Sequence, residues 1–457
     1  MSPEPVLAEL ARFVAETPGP SVPPEVRAHA GLVAADTVGT ILGGSLEPEV
    51  RRLHAEAERG AGPATVLAAG FPRVEPWWAV VANGTAGTML ELDEGNRFAR
   101  GHPGIHVLPA ALAEAERLGA SGTALIAAVV LGYDVAARLG AAAPVRPGMH
   151  MHGVHGVVGA AAAVARLRGL DRESTARALT AAAGLTLATS WQTALGGATI
   201  RNAYAGVGGA NGWLAVDLAR AGFTGLPDML TEAFGRISGM ALDVRLALDG
   251  LGARWEVTRN YFKRYACCRH NHPAVEALEE LLAEGLVEPG RIEAIRVATF
   301  AQAATMSDRN PVGALGAKFS IPYALAARLL LGECGPDAFR EPALSDERLR
   351  TLAGRVEVTE DPALTARLPA ARPARVEVRL TGGRTVSREV DAPSGDFDRP
   401  YAPEALLEKF LTLAGPILGG RGARAAWALS EGLERLKDAR ELGDGLRALE
   451  AGSKGAR

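Results

Sequence analysis

Apolar residues recur at helical spacing through the first half of the chain. Val26–Leu42 carries them three and four positions apart and stops at Gly43-Gly44. Gly122–Leu139 repeats the pattern and stops at Gly140, and Val154–Leu167 is an Ala/Val helix that ends near Gly169. Ile200–Ala221 is rich in Gly and Ala, which suits close helix–helix packing. From about Pro5 to Leu251 the chain therefore reads as helical. After Tyr261 the period changes. Ile292, Ala294, Arg296, Ala298 and Phe300 alternate with Glu293, Ile295, Val297 and Thr299, as in a strand. Val356 and Val358 alternate with Arg355 and Glu357, and Val376–Leu380 with Thr385–Val390 reads as a hairpin across Thr381-Gly382-Gly383-Arg384. A helix, Ile321–Leu331, lies between these strands, and helical spacing returns at Glu404–Leu413 and Ala423–Leu436. The predicted fold is mainly α. A large all-helical domain is built from both chain ends, residues 1–261 and 396–457, and a smaller α+β domain, residues 262–395, is inserted near the C-terminal half. Gly452–Arg457 reads as a frayed end.

Composition narrows the function classes. At 457 residues, 48% apolar, 22% charged and net charge −3, the chain has the make-up of an ordinary globular protein. No basic stripe suggests nucleic acid. The longest apolar runs, such as Leu125–Tyr133, fall short of the roughly 20 residues that span a membrane. The start of the chain lacks a basic region followed by an apolar run, so no secretion signal is expected. Cys267 and Cys268 are adjacent and Cys334 makes the count odd, which is neither a disulfide framework nor a zinc spacing. A reduced, cytoplasmic protein is expected.

Five segments concentrate polar groups. Glu91-Leu92-Asp93-Glu94-Gly95, followed by His102-Pro103-Gly104, is either a solvated acidic turn or a loop that delivers proton-transfer groups. Met149-His150-Met151-His152-Gly153-Val154-His155 precedes a helix. Its histidines lack a partner pattern such as HExxH, and His150 beside a helix start suits a carboxylate better than a metal. Arg201 stands alone in an uncharged Gly/Ala-rich stretch, as a structural ion pair or as a fork for a substrate carboxylate. Gly206-Val207-Gly208-Gly209-Ala210-Asn211-Gly212 is not a dinucleotide loop, because no strand precedes it and Asn211 replaces the third glycine. Tyr261–His272 groups Lys263, Cys268, Arg269 and two histidines with aromatic residues, which favours a binding site. Cys268 is a nucleophile or a packed thiol. Tyr323, in the first turn of its helix, is a proton donor or a core tyrosine.

Taken together these segments resemble the MmgE/PrpD family, which includes 2-methylcitrate dehydratase, cis-aconitate decarboxylase and iminodisuccinate epimerase. The resemblance spans nearly the whole chain. It runs from Leu7–Phe13 and Val22-Pro23-Pro24-Glu25-Val26 through Asn83-Gly84-Thr85-Ala86, His102-Pro103-Gly104 and Gly132-Tyr133-Asp134-Val135-Ala136-Ala137-Arg138. Lys318-Phe319-Ser320 with Pro322-Tyr323, and Glu408-Lys409-Phe410, complete it. It implies that the α+β domain is a lid, that the protein is a homodimer, and that it uses no metal or other cofactor. Carried over by position, the family site implies Asp93, His102, His150, Lys263 and Tyr323 as catalytic residues, with Glu91, Arg201 and Cys268 binding substrate; Arg269, next to Cys268, is expected to bind substrate as well. Three positions depart from the family pattern. Arg201 replaces a lysine, Gly95 replaces the threonine of Asp-Asp-Thr, and Cys268 stands where the decarboxylase branch has histidine.

The implied chemistry makes or consumes a carbanion next to a carboxylate, which preorganised cations must stabilise. The expected function is a cofactor-independent lyase acting on a small di- or tricarboxylate, most simply by dehydrating a 2-methylcitrate-like hydroxy acid. Isomerisation or epimerisation of a dicarboxylate, decarboxylation of a cis-aconitate-like acid, and a non-catalytic carboxylate-binding protein are the alternatives.

Overall fold

The structure is a computed structural model and describes residues 4–58 and 60–454. It is mainly α, and its apolar side chains gather into two cores. The first is built by the helices Pro5–Glu16, Pro24–Gly44, Pro76–Thr88, Pro103–Leu118, Gly122–Ala142, His155–Leu167, Arg172–Ala183 and Ala203–Arg220. Leu406, Phe410, Ala414 and Leu418 of the distant helix Pro403–Glu431 join this core, packing along Pro24–Gly44. The sequence shows two helices there, and they meet at a kink at Gly419, where φ 66° and ψ 167° are not helical. Gly122–Ala142 has the length and hydropathy of a membrane span, yet 89% of that apolar window is buried inside the protein. It extends well past the apolar run Leu125–Tyr133, because Gly132, Ala136, Ala137 and Gly140 prolong it with small side chains that pack closely.

The second core lies under a four-stranded sheet in the order Val356–Glu360, Ile292–Thr299, Ala374–Leu380, Thr385–Val390. The first pair is parallel and the other two are antiparallel, with Val297 facing Val358 on one side and Val376 on the other. Ile295, Val297 and Thr299 point inward while Arg296 points out, and a bulge between Ile292 and Ala294 turns Ile292 inward as well. The helix His272–Ala283, which the strand-dominated reading of this region did not separate, covers the last two strands. The helical reading of residues 5–251 also missed a two-stranded ribbon, Ala61–Thr65 with Arg73–Val74. Gly62-Pro63 carries no apolar alternation that would have marked it.

The run Gly206–Gly212 lies inside the helix Ala203–Arg220. A side chain on Gly206 would collide with the Val81 carbonyl and Thr85 of the neighbouring helix, so these glycines serve close packing. Of the predicted frayed end, the helix Arg440–Lys454 takes in the first residues, and 455–457 lie outside the described residues.

One buried ion pair connects the first core to the site. Arg138 pairs with Asp134 and donates to the carbonyls of Asp249 at 2.6 Å and Arg254 at 2.7 Å. Asp134 also accepts the Glu256 N–H at 2.8 Å, so the pair anchors the stretch that leads to Tyr261 and Lys263. Removing one partner leaves the other charged and buried. Arg138→Met is expected to lower unfolding free energy by about 3–5 kcal/mol in urea titrations at neutral pH; an unchanged midpoint would show that the pair does not anchor this stretch.

Candidate active site

The helix Pro76–Thr88 ends at Met89, whose carbonyl accepts from the buried Lys318 ammonium at 2.6 Å. The chain then turns through Glu91 in a left-handed conformation, φ 54°, which is uncommon for a residue with a side chain. Leu90 and Leu92 enter the second core, so the acidic residues between and after them are carried to the seam of the two cores. Gly95-Asn96 then pairs with Asn260-Tyr261, and His102 caps the helix Pro103–Leu118.

This turn is not a solvated acidic loop. Glu91 and Asp93 are each 1% exposed and face two buried cations. Arg201 pairs with Glu91, and Lys263 Nζ lies 3.5 Å from Glu91 Oε2 and 3.4 Å from Asp93 Oδ1. Burial would raise the Asp93 carboxyl, but the His102 ring, Lys263 and Arg201 beside it outweigh that and hold Asp93 well below the usual carboxylate range. Burial would lower Lys263, and Asp93 with Glu91 outweighs that too, holding its ammonium above the ordinary lysine range.

His102 and His150 differ in what they can do. His102 Nδ1 lies 2.8 Å from the Glu94 carbonyl and 2.9 Å from Asp93 Oδ2. Both neighbours are acceptors, so Nδ1 carries the hydrogen, and Nε2 of the neutral ring is left as a base. Both ring nitrogens of His150 face donors: the His152 N–H at 3.1 Å and Arg201 Nε at 3.1 Å. His150 is stacked on Trp191, and burial with the Arg201 charge pushes it well below the ordinary histidine range. It positions Arg201 and has no free lone pair for a proton. His152, fully buried, touches His102 and His150 edge-on, and neither of its ring nitrogens has a hydrogen bond among the described residues.

A cavity of about 490 Å³ opens at this seam. Glu91, His102, His150, Arg201, Cys268 and Arg269 line it, and the structure brings all of them together. Lys263 is not on the wall; it lies behind the carboxylates that it neutralises. Tyr323 is also absent from the lining. Its hydroxyl donates to the Ala338 carbonyl at 2.9 Å and its ring packs on Phe339, so it is a core tyrosine rather than a donor to substrate. Cys268 is a buried thiol pushed up to about 12, first by burial and then by Glu91, which makes it a poor nucleophile. Arg201 commits Nε to His150 and Nη1 to Glu91, while Nη2 has no hydrogen-bond partner among the described residues. It is at once an ion-pair partner and a wall of the cavity.

Two departures from the family pattern have a local cause. A side chain at Gly95 would collide with the Tyr261 hydroxyl, whose ring lines the cavity in that place. At position 201 the guanidinium lies over the Phe319 ring, 5.1 Å from its centre, a contact that suits a planar cation. Sequence reasoning placed Tyr261 and His270 in a candidate binding segment without a role and passed over Trp191; all three line the cavity. It also passed over Glu94, whose carboxylate caps Gly104 N–H at 2.8 Å and meets the Tyr133 hydroxyl at 2.8 Å. The Tyr133 and Asn260 contacts join residues far apart in sequence, so no local signal marks them.

The chain matches the MmgE/PrpD N-terminal domain over residues 8–246 and the MmgE/PrpD C-terminal domain over residues 265–435. It belongs to the MmgE/PrpD family. Its relatives in that family include cis-aconitate decarboxylase from Aspergillus terreus, 24% identical over 95% of this chain and 94% of the relative. The cis-aconitate decarboxylase-like protein oryM of Aspergillus oryzae is 26% identical over 90% of this chain and 91% of the relative.

Asp93, His102 and His152 bring possible metal-ligand atoms within 4.8 Å of one another. The fit to a cation is poor. The hydrogen on His102 Nδ1 goes to the Glu94 carbonyl at 2.8 Å, so that nitrogen has no lone pair for a metal, and the Lys263 ammonium occupies the other side of the Asp93 carboxylate.

Glu94 offers a test of the site's electrostatics. Burial raises its carboxyl to about 8, against the Tyr133 and Gly104 hydrogen bonds that lower it. A raised value means that the folded state holds a proton that the unfolded chain releases above about pH 4.5. The contribution of protonated Glu94 is therefore complete at low pH and is lost as pH rises toward 8. Glu94→Gln should match the wild type near pH 5 and gain stability relative to it up to about pH 8, measured as paired urea midpoints. A difference that does not vary with pH would contradict a protonated Glu94.

Proposed function

We propose that the protein is a cofactor-independent lyase that acts on a small di- or tricarboxylate by moving a proton at a carbon next to a carboxylate. The observation that carries this reading is His102 on the wall of a cavity that Arg201 also lines, with Asp93 2.9 Å behind its ring. Arg201 Nη2 holds the substrate carboxylate and stabilises the enediolate charge that develops on it. His102 Nε2 takes the proton from carbon. Asp93 keeps the ring in the Nδ1–H form and stabilises the imidazolium that results. Lys263 helps keep Asp93 ionised from behind.

In dehydration of a 2-methylcitrate-like acid, the C–H electrons form the alkene, the C–O bond breaks, and the departing hydroxide takes a proton. Tyr261 is our candidate donor because its ring lines the cavity and Tyr323 does not. Decarboxylation of a cis-aconitate-like acid is the second reading. The names of the relatives favour it. So does the chemistry of the wall, because after loss of CO₂ only a proton from the His102 imidazolium to carbon is required.

Proton NMR of the protein with 2-methylcitrate, citrate, cis-aconitate and other small dicarboxylates tests the proposal. A new alkene from a hydroxy acid supports dehydration, and a shorter unsaturated diacid from cis-aconitate supports decarboxylation. No reaction across the panel would count against both. His102→Ala should lower kcat by about 10²-fold or more with the fold intact, whereas Tyr323→Phe should retain near-wild-type turnover. Dialysis against a chelator should leave the rate unchanged; activity lost and restored by zinc would assign a metal to Asp93, His102 and His152 instead.

A further inference from the structure

Beyond the catalytic pair, the cavity wall has more positive charge than its carboxylates balance. Arg97, Arg269 and Arg372 are 5%, 3% and 8% exposed, and all three line the cavity. Arg97 and Arg269 share one buried carboxylate, Asp396, 2% exposed, which lies 3.6 Å from Arg97 and 3.8 Å from Arg269. Arg97 has a second partner in Asp398 at 2.8 Å, and Arg269 is held by the carbonyls of Pro393 and Ser394 at 2.9 and 3.0 Å. Arg372 is held by one carbonyl and, among the described residues, no carboxylate. Its Nη2 donates to the Arg97 carbonyl at 2.8 Å and its side chain bonds Tyr261, but it forms no ion pair among the described residues. Arg100 lines the same cavity, is exposed, and is also without an ion pair among the described residues. Its backbone is held left-handed, φ 55°, between the Arg97 carbonyl and the bridge from Asn96 to Gly101. The Arg100 and Arg372 charges oppose each other strongly enough to lower Arg100, after burial.

Two adjacent guanidiniums, one of them buried, are costly without an anion, and each offers a planar fork that fits a carboxylate. We propose that Arg372 and Arg100 form a second anion subsite, which binds a carboxylate of the substrate remote from the carbon that His102 serves and so selects acids with more than one charge. This rests on the reading of the cavity as a carboxylate site. Arg201 and His102 hold the reacting end. Arg372, fixed by Tyr261 and the Arg97 carbonyl, forms the rigid half of the distal subsite, and Arg100 at the surface completes it.

The test compares binding of tricarballylate, a tricarboxylate with no hydroxyl to eliminate, with binding of its terminal monomethyl ester, which lacks one charge. Calorimetry on wild type, Arg100→Ala and Arg372→Lys gives the dissociation constants, and circular dichroism confirms that each variant folds. Arg100→Ala alters an exposed side chain and keeps the test open should Arg372→Lys fail to fold. Each variant should weaken the triacid by about tenfold or more, the usual effect of one charge-assisted pair, and the ester by less than about threefold. Equal losses for both ligands, no loss for either, or a wild type that does not bind tricarballylate would overturn the subsite. Turnover separates this result from the functional reading. Variant-sensitive binding in a protein that converts none of the acids leaves the subsite standing and removes the lyase. Turnover of an acid that Arg100→Ala binds and converts as well as wild type removes the subsite alone.

Discussion

Two carboxylates and two cations, all buried where the two cores meet, set the terms for everything around them. Glu91 and Asp93 are buried against Arg201 and Lys263, and burying either pair of charges without the other would be costly. The desolvation cost of such a cluster is large, and it is offset only if the partners are held in place. The left-handed turn at Glu91, the Lys318 cap on Met89 and the Arg138–Asp134 anchor are the means. The same rigidity gives His102 one tautomer and one direction. The strain in this turn and the orientation of the candidate base are thus one feature seen from two sides.

Much of the architecture is legible in residue periodicity. The helix Ile321–Leu331 and the strand Thr385–Val390 have the bounds that spacing predicts, because each is bordered by Gly, Ser or a sharp change in polarity. The two helices read near the chain's end do divide, at Gly419, where the backbone leaves the helical region. The missed ribbon Ala61–Thr65 is too short and too poor in β-branched residues to show a period of two.

The site was legible by residue type and less so by role. The acidic turn, His102, Arg201 and Cys268 are gathered around one cavity, as local composition and the family pattern suggested. What spacing could not convey is which side chain faces the cavity and which stands behind it. Lys263 and Tyr323 carry the right chemistry, but one backs the carboxylates and the other is tied to a carbonyl. His150 and His102 look alike in sequence and are separated by their hydrogen bonds alone. The arginines at 97, 100 and 372 attract no notice in a chain with many surface arginines. They matter because the fold brings two distant stretches to one wall and leaves Arg100 and Arg372 without an ion pair among the described residues.

The central claim is that His102, oriented by Asp93, moves a proton at a carbon next to a carboxylate. The most direct measurement is solvent deuterium incorporation, followed by NMR in deuterated buffer, for wild type and His102→Ala with the acid that the wild type converts. The account predicts deuterium at the carbon adjacent to a carboxylate with wild type and its loss with His102→Ala, while tricarballylate binding persists in both. Deuterium entering at the wild-type rate in His102→Ala would contradict it and place the base elsewhere in the cavity.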